Sequence, residues 1–264
     1  VCHHGGWALV RVGIAASRRV KGGLRRVARA VERVGGVEAV VYADDRVDAD
    51  VEVVRCEDPG SRMVADLLDG ELDAAVRGAV PAACVKGLVE RLGVGFTGRS
   101  TVLEWEGSFT LLTPVGIDEG WDVRELVRLG ELAVDFCGRL GVEEPRVAVV
   151  SSGRLEDVGR HPRVDEWLAV GELAARLLRE RGVRAEHVGI LVERAMDRDV
   201  LLFTGGVLGN LAFRSLSLVA GLRSHGAPVL AALSEGVVFV DTSRAQRSSG
   251  YARALRLAAR LAGG

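Results

Sequence analysis

The chain has 264 residues, 48% of them hydrophobic and 5% aromatic, with a formal net charge of −1 at pH 7. That length suits one large domain or two smaller ones, and the near-neutral balance excludes the strongly basic surface that nucleic acid or an acidic membrane calls for. No apolar run reaches the roughly 18 residues of a membrane span and no cleavable leader pattern is seen, so a soluble cytoplasmic protein is expected.

All but Lys21 and Lys86 of the 35 basic residues are arginine, and Asn210 and Gln246 are the only side-chain amides. Scarce thermolabile amides fit a very hot environment, and arginine over lysine fits either heat or a GC-rich genome. An asparagine kept in such a chain is expected to have a task. The four cysteines, Cys2, Cys56, Cys84 and Cys137, show no CxxC or zinc spacing and read as reduced, packed thiols. Cys2-His3-His4 could grip a metal, but a frayed terminus is the plainer reading and no metal site is assigned.

In chain order, Ala8 to Ala15 reads as a strand, followed by the basic loop Ser17 to Gly23. Leu24 to Val34 is helical by its apolar spacing, and Val37 to Ala43 is a strand. Such a βαβ start builds a parallel sheet. Val51 to Val54 is a short strand, and Ser61 to Leu68 a helix with Ser61 as a candidate cap. A strand from Asp73 to Val76 ends at Arg77-Gly78, with Pro81 in the first turn of the helix that follows. Thr101 to Glu104 and Ser108 to Pro114 form a hairpin around Glu106-Gly107. Asp122 to Leu140 is a long amphipathic helix, and Pro145 to Ser151 a strand opening into Ser152-Gly153-Arg154. The helix from His161-Pro162 to Gly182 puts Trp167, Val170, Leu173, Ala174 and Leu177 on its inner face. Val188 to Ala195 is ambiguous. Pro228 to Ala232 and Val237 to Val240 read as strands, and Tyr251 to Ala262 as the closing helix.

The segment Thr204-Gly-Gly-Val-Leu-Gly-Asn-Leu-Ala-Phe-Arg-Ser215 follows the apolar strand Val200 to Phe203. A strand, a glycine-rich turn and a helix start can gather backbone N–H groups and a helix dipole into an anion pocket. Asn210 stands where a helix cap is expected, with Arg214 one turn on. The same pattern also fits a plain βα turn with glycines for geometry. Arg77 lies at another strand end, where a guanidinium suits phosphate or carboxylate or is simply a rim arginine.

Four elements stand in order: Asp73-Ala-Ala-Val-Arg-Gly-Ala-Val80, Pro145-Arg-Val-Ala-Val-Val-Ser151, Gly209-Asn-Leu-Ala-Phe-Arg214 and Thr242-Ser-Arg-Ala245. The series resembles the phosphate acetyl/butyryl-transferase superfamily, and most closely the archaeal branch called methanogenesis marker protein 4, which is labelled methyltransferase-related. This chain departs from the superfamily at Arg214 for lysine, Ala245 for glycine, Gly250 for an acidic residue, and in the segment around Thr113 to Asp118. No glycine-rich S-adenosylmethionine loop follows the first strand.

The resemblance implies two three-layer α/β/α domains of the isocitrate-dehydrogenase-like kind, with a ligand cleft between them, commonly as a homodimer. The expected division is 1–99 plus 234–264 for the first domain and 100–233 for the second. A small anionic substrate, phosphorylated or acylated, is expected, with coenzyme A implied as a further ligand. Its expected contacts are Arg77, Gly78, Ser151, Ser152, Gly209, Asn210, Arg214, Ser243 and Arg244, with no residue assigned as a catalytic base. The resemblance also implies a transferase of methanogenesis, or an accessory protein or methyltransferase of methanogenic methyl transfer.

Overall fold

A computed structural model describes residues 9–263, so the Cys2-His3-His4 stretch lies outside the described residues. The chain divides into two compact units, one holding the residues up to Leu88 and from Val237 onward, the other Val89–Gly236.

In the first unit, β1 (Arg11–Ala16), α1 (Gly23–Val31), β2 (Glu38–Ala43), β3 (Glu52–Arg55), α2 (Pro59–Leu68) and β4 (Ala74–Ala79) follow one another, and α3 (Ala83–Leu92) leads out. The second unit holds β5 (Thr101–Trp105), β6 (Ser108–Thr113), α4 (Val123–Arg139), β7 (Arg146–Val150), α5 (Pro162–Glu180), β8 (Arg184–Gly189), β9 (Val200–Phe203) and α6 (Gly206–Phe213). The two-residue strands β10 (Arg223–Ser224) and β11 (Ala227–Pro228) and the short α7 (Leu230–Ser234) come next. The chain then returns to the first unit with β12 (Val238–Asp241) and α8 (Ser248–Gly263).

The first sheet runs β12-β4-β1-β2-β3, all parallel. Its strands are apolar along most of their length because helices cover both faces: α1 and α8 pack together on one, and α2 lies on the other. Met63 of α2 and Tyr42 reach over Gly13, whose missing side chain makes room for them. The α2 cap is Asp58, not Ser61; the Asp58 carboxylate accepts from both the Ser61 N–H at 3.1 Å and its hydroxyl at 2.8 Å. Helix α2 therefore begins at Pro59, a residue suited to a first turn.

The second sheet runs β10-β5-β6-β9-β7-β8, with β6, β9, β7 and β8 parallel and β5 antiparallel to β6. The β5–β6 hairpin turns through Glu106 and Gly107, at φ 46° and 81°, as a tight two-residue loop requires. One sheet face packs Leu103, Leu112, Leu201 and Phe203 beneath Leu208, Ala212 and Phe213 of α6. On the other face, Gly130 of α4 lets Leu178 of α5 settle beside Leu202. The ambiguous stretch is β8 ending at Gly189, then a single 3₁₀ turn at Val192–Arg194. Leu173, expected on the inner face of α5, is exposed, and residues 230–234 are helical rather than extended.

Gly78 illustrates a position fixed by geometry. Its φ is +70°, and any Cβ there would sit on the Ala15 carbonyl oxygen of the neighbouring strand. Its N–H donates to Thr242 Oγ1 at 3.1 Å, joining β4 to the residue after β12. Gly78→Ala is expected to destabilise the protein by about 3 kcal/mol or more, measured as a fall in the midpoint of denaturant unfolding.

Candidate functional site

In each sheet the chain reverses its direction of travel across the strands at one place, and there the loops after two adjacent parallel strands diverge to leave a crevice. In the first unit this is the gap between β1 and β4. Ser17, Arg19, Asp44, Asp58, Val80 and Cys84 are among the residues lining a cavity of about 340 Å³ there. Its Asp44 carboxylate is held by the loop after β1. The Ser17 hydroxyl donates to Asp44 at 2.6 Å and the Arg18 N–H donates to the other Asp44 oxygen at 2.7 Å.

In the second unit the crevice falls between β7 and β9, where Val150 pairs with Phe203. Beyond β7 the chain enters α5 on one face; beyond β9 it enters α6 on the other. A cavity of about 490 Å³ opens here, lined by Gly120, Trp121, Ser152, Trp167, Thr204 and Leu208, with Arg163, Val164, Glu166 and Val170 of α5. The Ser152 and Thr204 hydroxyl oxygens are buried without a hydrogen-bond partner in the protein, and Thr204 as a whole is 4% exposed. A buried hydroxyl left unmatched costs on the order of 1–3 kcal/mol, so two at one crevice mark a place shaped for something else.

The turn after Thr204 is built from backbone contacts. Gly205 has φ 108°, and the Gly206 N–H donates to the Glu119 carbonyl at 2.7 Å. A Cβ on Gly206 would overlap the Gly116 carbonyl, and one on Gly209 the Pro114 carbonyl. Helix α6 therefore begins at Gly206, four residues before the expected cap. Asn210 lies inside it, its amide nitrogen donating to the Val115 carbonyl at 2.7 Å. The task of the one asparagine is to tie α6 to the 114–122 loop. That loop is held from behind by Glu119, whose carboxylate accepts from Arg99 N at 2.8 Å and Arg99 Nε at 2.6 Å. Burial pushes the Glu119 carboxyl above its ordinary pKa, with Arg99 pulling the other way.

The other expected contacts fall as follows. The Ser151 side chain lies beneath α5 and bonds His187 Nε2 at 2.8 Å, while His187 Nδ1 lies 3.3 Å from Glu172. A carboxylate oxygen only accepts, so Nδ1 carries the proton and Nε2 accepts from the Ser151 hydroxyl. This is the wiring of a serine nucleophile, but the α5 backbone covers it. A Cβ on Gly171 would stand 2.6 Å from Nε2 and 3.2 Å from Ser151 Cβ. Of the two serines, Ser152 is the one that lines the cavity. Arg214 is exposed where α6 passes into a π-helical turn.

In the first unit, Arg77 is buried with its Nε 2.8 Å from Asp241, so it has a protein counter-ion rather than a bare guanidinium. Ser243 and Arg244 are exposed in a loop whose carbonyls accept from the Tyr251 hydroxyl at 3.1 and 3.0 Å. At Gly250 a side chain would meet Gln246, whose Nε2 lies 2.6 Å from such a Cβ. The structure thus brings Ser152 and the Gly205–Gly209 turn to one crevice in the second unit, and Arg77, Gly78 and Ser243-Arg244 to the β4 and β12 ends in the first. Thr204, Trp121 and His187 went unassigned from sequence, and Trp167 was read only as an inner-face residue of its helix.

Two α/β units with strand-end crevices at their switch points make up a fold that this chain shares with solved phosphotransacylases and with 4-hydroxythreonine-4-phosphate dehydrogenases. Over 96% of this chain and 99% of the other, the fold matches a branched-chain phosphotransacylase from Enterococcus faecalis at TM-score 0.72 and 18% identity. No family model matches the chain. It is 68% identical, over 97% of its length and all of the relative's, to "Uncharacterized methyltransferase MK0941" of Methanopyrus kandleri. It is 36% identical, over 82% of its length and 79% of the relative's, to a protein of Methanosarcina barkeri provisionally named methyltransferase mtx subunit X. The chain belongs to this family of methanogen proteins.

Burial holds His187 below its ordinary pKa of 6.5, with Glu172 acting in the opposite sense. A depressed folded-state value means that the His187 contribution is complete above 6.5 and is lost as pH falls through the folded value. Stability should therefore decline as pH falls below 6.5. His187→Gln should flatten that part of the profile while costing about 1 kcal/mol at the higher pH, both read by urea unfolding.

Proposed function

We propose that the protein is a transferase of methanogens that binds a phosphorylated or acylated small molecule at the β7–β9 crevice. The observation that carries this reading is the pair of partnerless hydroxyls, Ser152 and Thr204, converging beside the N-terminus of α6. A phosphoryl or acyl oxygen would accept from both, and the positive end of the helix would favour the charge. In the same unit Arg214 is exposed and suited to further anionic oxygens; in the first unit Ser243 and Arg244 are exposed anion-binding candidates of their own, while Arg77 would act mainly on Asp241. Coenzyme A would serve as a co-substrate. No base stands at the cavity-facing hydroxyls in this reading, so catalysis would rest on electrostatic stabilisation.

Acetyl phosphate should bind with heat measurable by titration calorimetry. Thr204→Val should weaken it about tenfold, the worth of one good hydrogen bond to a charged ligand. Unchanged affinity in Thr204→Val and Ser152→Ala would remove the site.

The relatives' names favour methyl transfer as a second reading. Retention of S-adenosylmethionine in equilibrium dialysis is its expected sign, and free passage of that compound would end it.

The helix α6 and the turn after it expose a run of apolar side chains, with Leu211 62% and Val219 86% exposed and Val207 and Leu218 exposed as well. Such a surface calls for a cover, which we take to be a second copy of the chain. Sedimentation should give a dimer, and Leu211→Glu a monomer.

A further inference from the structure

The β7–β9 cavity says more about its ligand than the two hydroxyls do. Trp121 and Trp167 meet edge to face, their ring centroids 6.2 Å apart and their planes at 85°. The Trp121 ring is held in place by its Nε1 donating to the Ile117 carbonyl at 3.0 Å. Trp167 projects from α5 between Val164 and Val170, and Leu208 of α6 also lines the cavity. Gly205 completes the corner. A Cβ there would come within 3.6 Å of Trp167 Cη2 and 3.7 Å of Trp121 Cζ3, so its absence leaves the indoles uncovered where the chain turns toward α6. The two charged residues at the wall, Arg163 and Glu166, neutralise each other across 2.7 Å. Most of this cavity is therefore apolar and aromatic, and its partnerless polar atoms are confined to Ser152 and Thr204.

Resting on the reading that this crevice binds an oxygen-bearing ligand, we propose that the ligand's body is an aryl group. One indole would stack on its face and the other would meet its edge, while Thr204 and Ser152 hydrogen-bond the oxygens of its head. Two indoles at a right angle form a corner that suits a flat ring. Aromatic pairs in such offset or edge-to-face geometry attract beyond the apolar area they bury. A compact head such as acetyl phosphate leaves the corner unfilled. Trp121 and Trp167 are then specificity-determining residues.

The test is calorimetry and intrinsic tryptophan fluorescence on the intact chain with inorganic phosphate, acetyl phosphate, isobutyryl phosphate and benzoyl phosphate. Benzoyl phosphate should bind about tenfold or more tightly than acetyl phosphate and ahead of isobutyryl phosphate, with quenching of the fluorescence. Trp167→Leu should bring benzoyl phosphate down toward the isobutyryl compound. Trp121→Leu, at an exposed position that the fold tolerates, should do the same and remove most of the quenching. Acetyl phosphate binding as tightly as benzoyl phosphate, or isobutyryl phosphate binding more tightly, overturns the aryl assignment and leaves the crevice reading in place. Failure of all four compounds to bind overturns both.

Discussion

The second unit depends on how closely Gly206 approaches the backbone of the 114–122 loop. With no side chain at that position, the N–H of Gly206 reaches the Glu119 carbonyl and the first turn of α6 settles against Gly116. That contact fixes where β9 stops, so it fixes which way Thr204 points. It also sets the distance between α6 and α5, and with it the width of the crevice. The Glu119–Arg99 pair and the Asn210 amide hold the loop from two further directions. Three weak constraints on one loop over-determine a turn that glycine alone would leave free.

Much of this fold was legible in the sequence. The βαβ rhythm of the first ninety or so residues, the β5–β6 hairpin at Glu106-Gly107 and the long α4 and α5 all follow from apolar spacing and turn chemistry. The start of α6 was not legible. Asn210 is a good cap by type, but Gly206 wins because the tertiary approach to Gly116 admits no other residue, and local pattern carries no trace of that. Strand β8 was obscured because its exposed positions carry charge and one of its polar side chains, His187, points into the protein. At the site, the strand-end serines could be read in advance. Which of Ser151 and Ser152 faces the cavity could not, since adjacent residues on an extended chain point to opposite sides.

The two crevices share a topological origin and differ in chemistry. In the first unit, a carboxylate, Asp44, is held by a hydroxyl and a backbone N–H of the loop after β1. In the second, hydroxyls stand unpaired among indoles. The fold supplies the position of a site, and the side chains at two or three strand ends decide whether it is used. Arg77 shows the same division: its placement at a strand end invites an anion, and Asp241 supplies one from within the protein.

The return of the chain into the first unit orders events on the ribosome. The second unit is a continuous run, Val89–Gly236, and can close as soon as it has been made. The first cannot: β4 keeps an open edge and α1 an uncovered flank until β12 and α8 have been made. For that interval an apolar strand edge is exposed, a state prone to wrong pairing. A nascent chain stopped short of Val238 would carry a finished second unit and an unfinished first one. The segment from Val237 onward thus acts as the closing step of the first unit's assembly, and quality control that senses open sheet edges would read its absence.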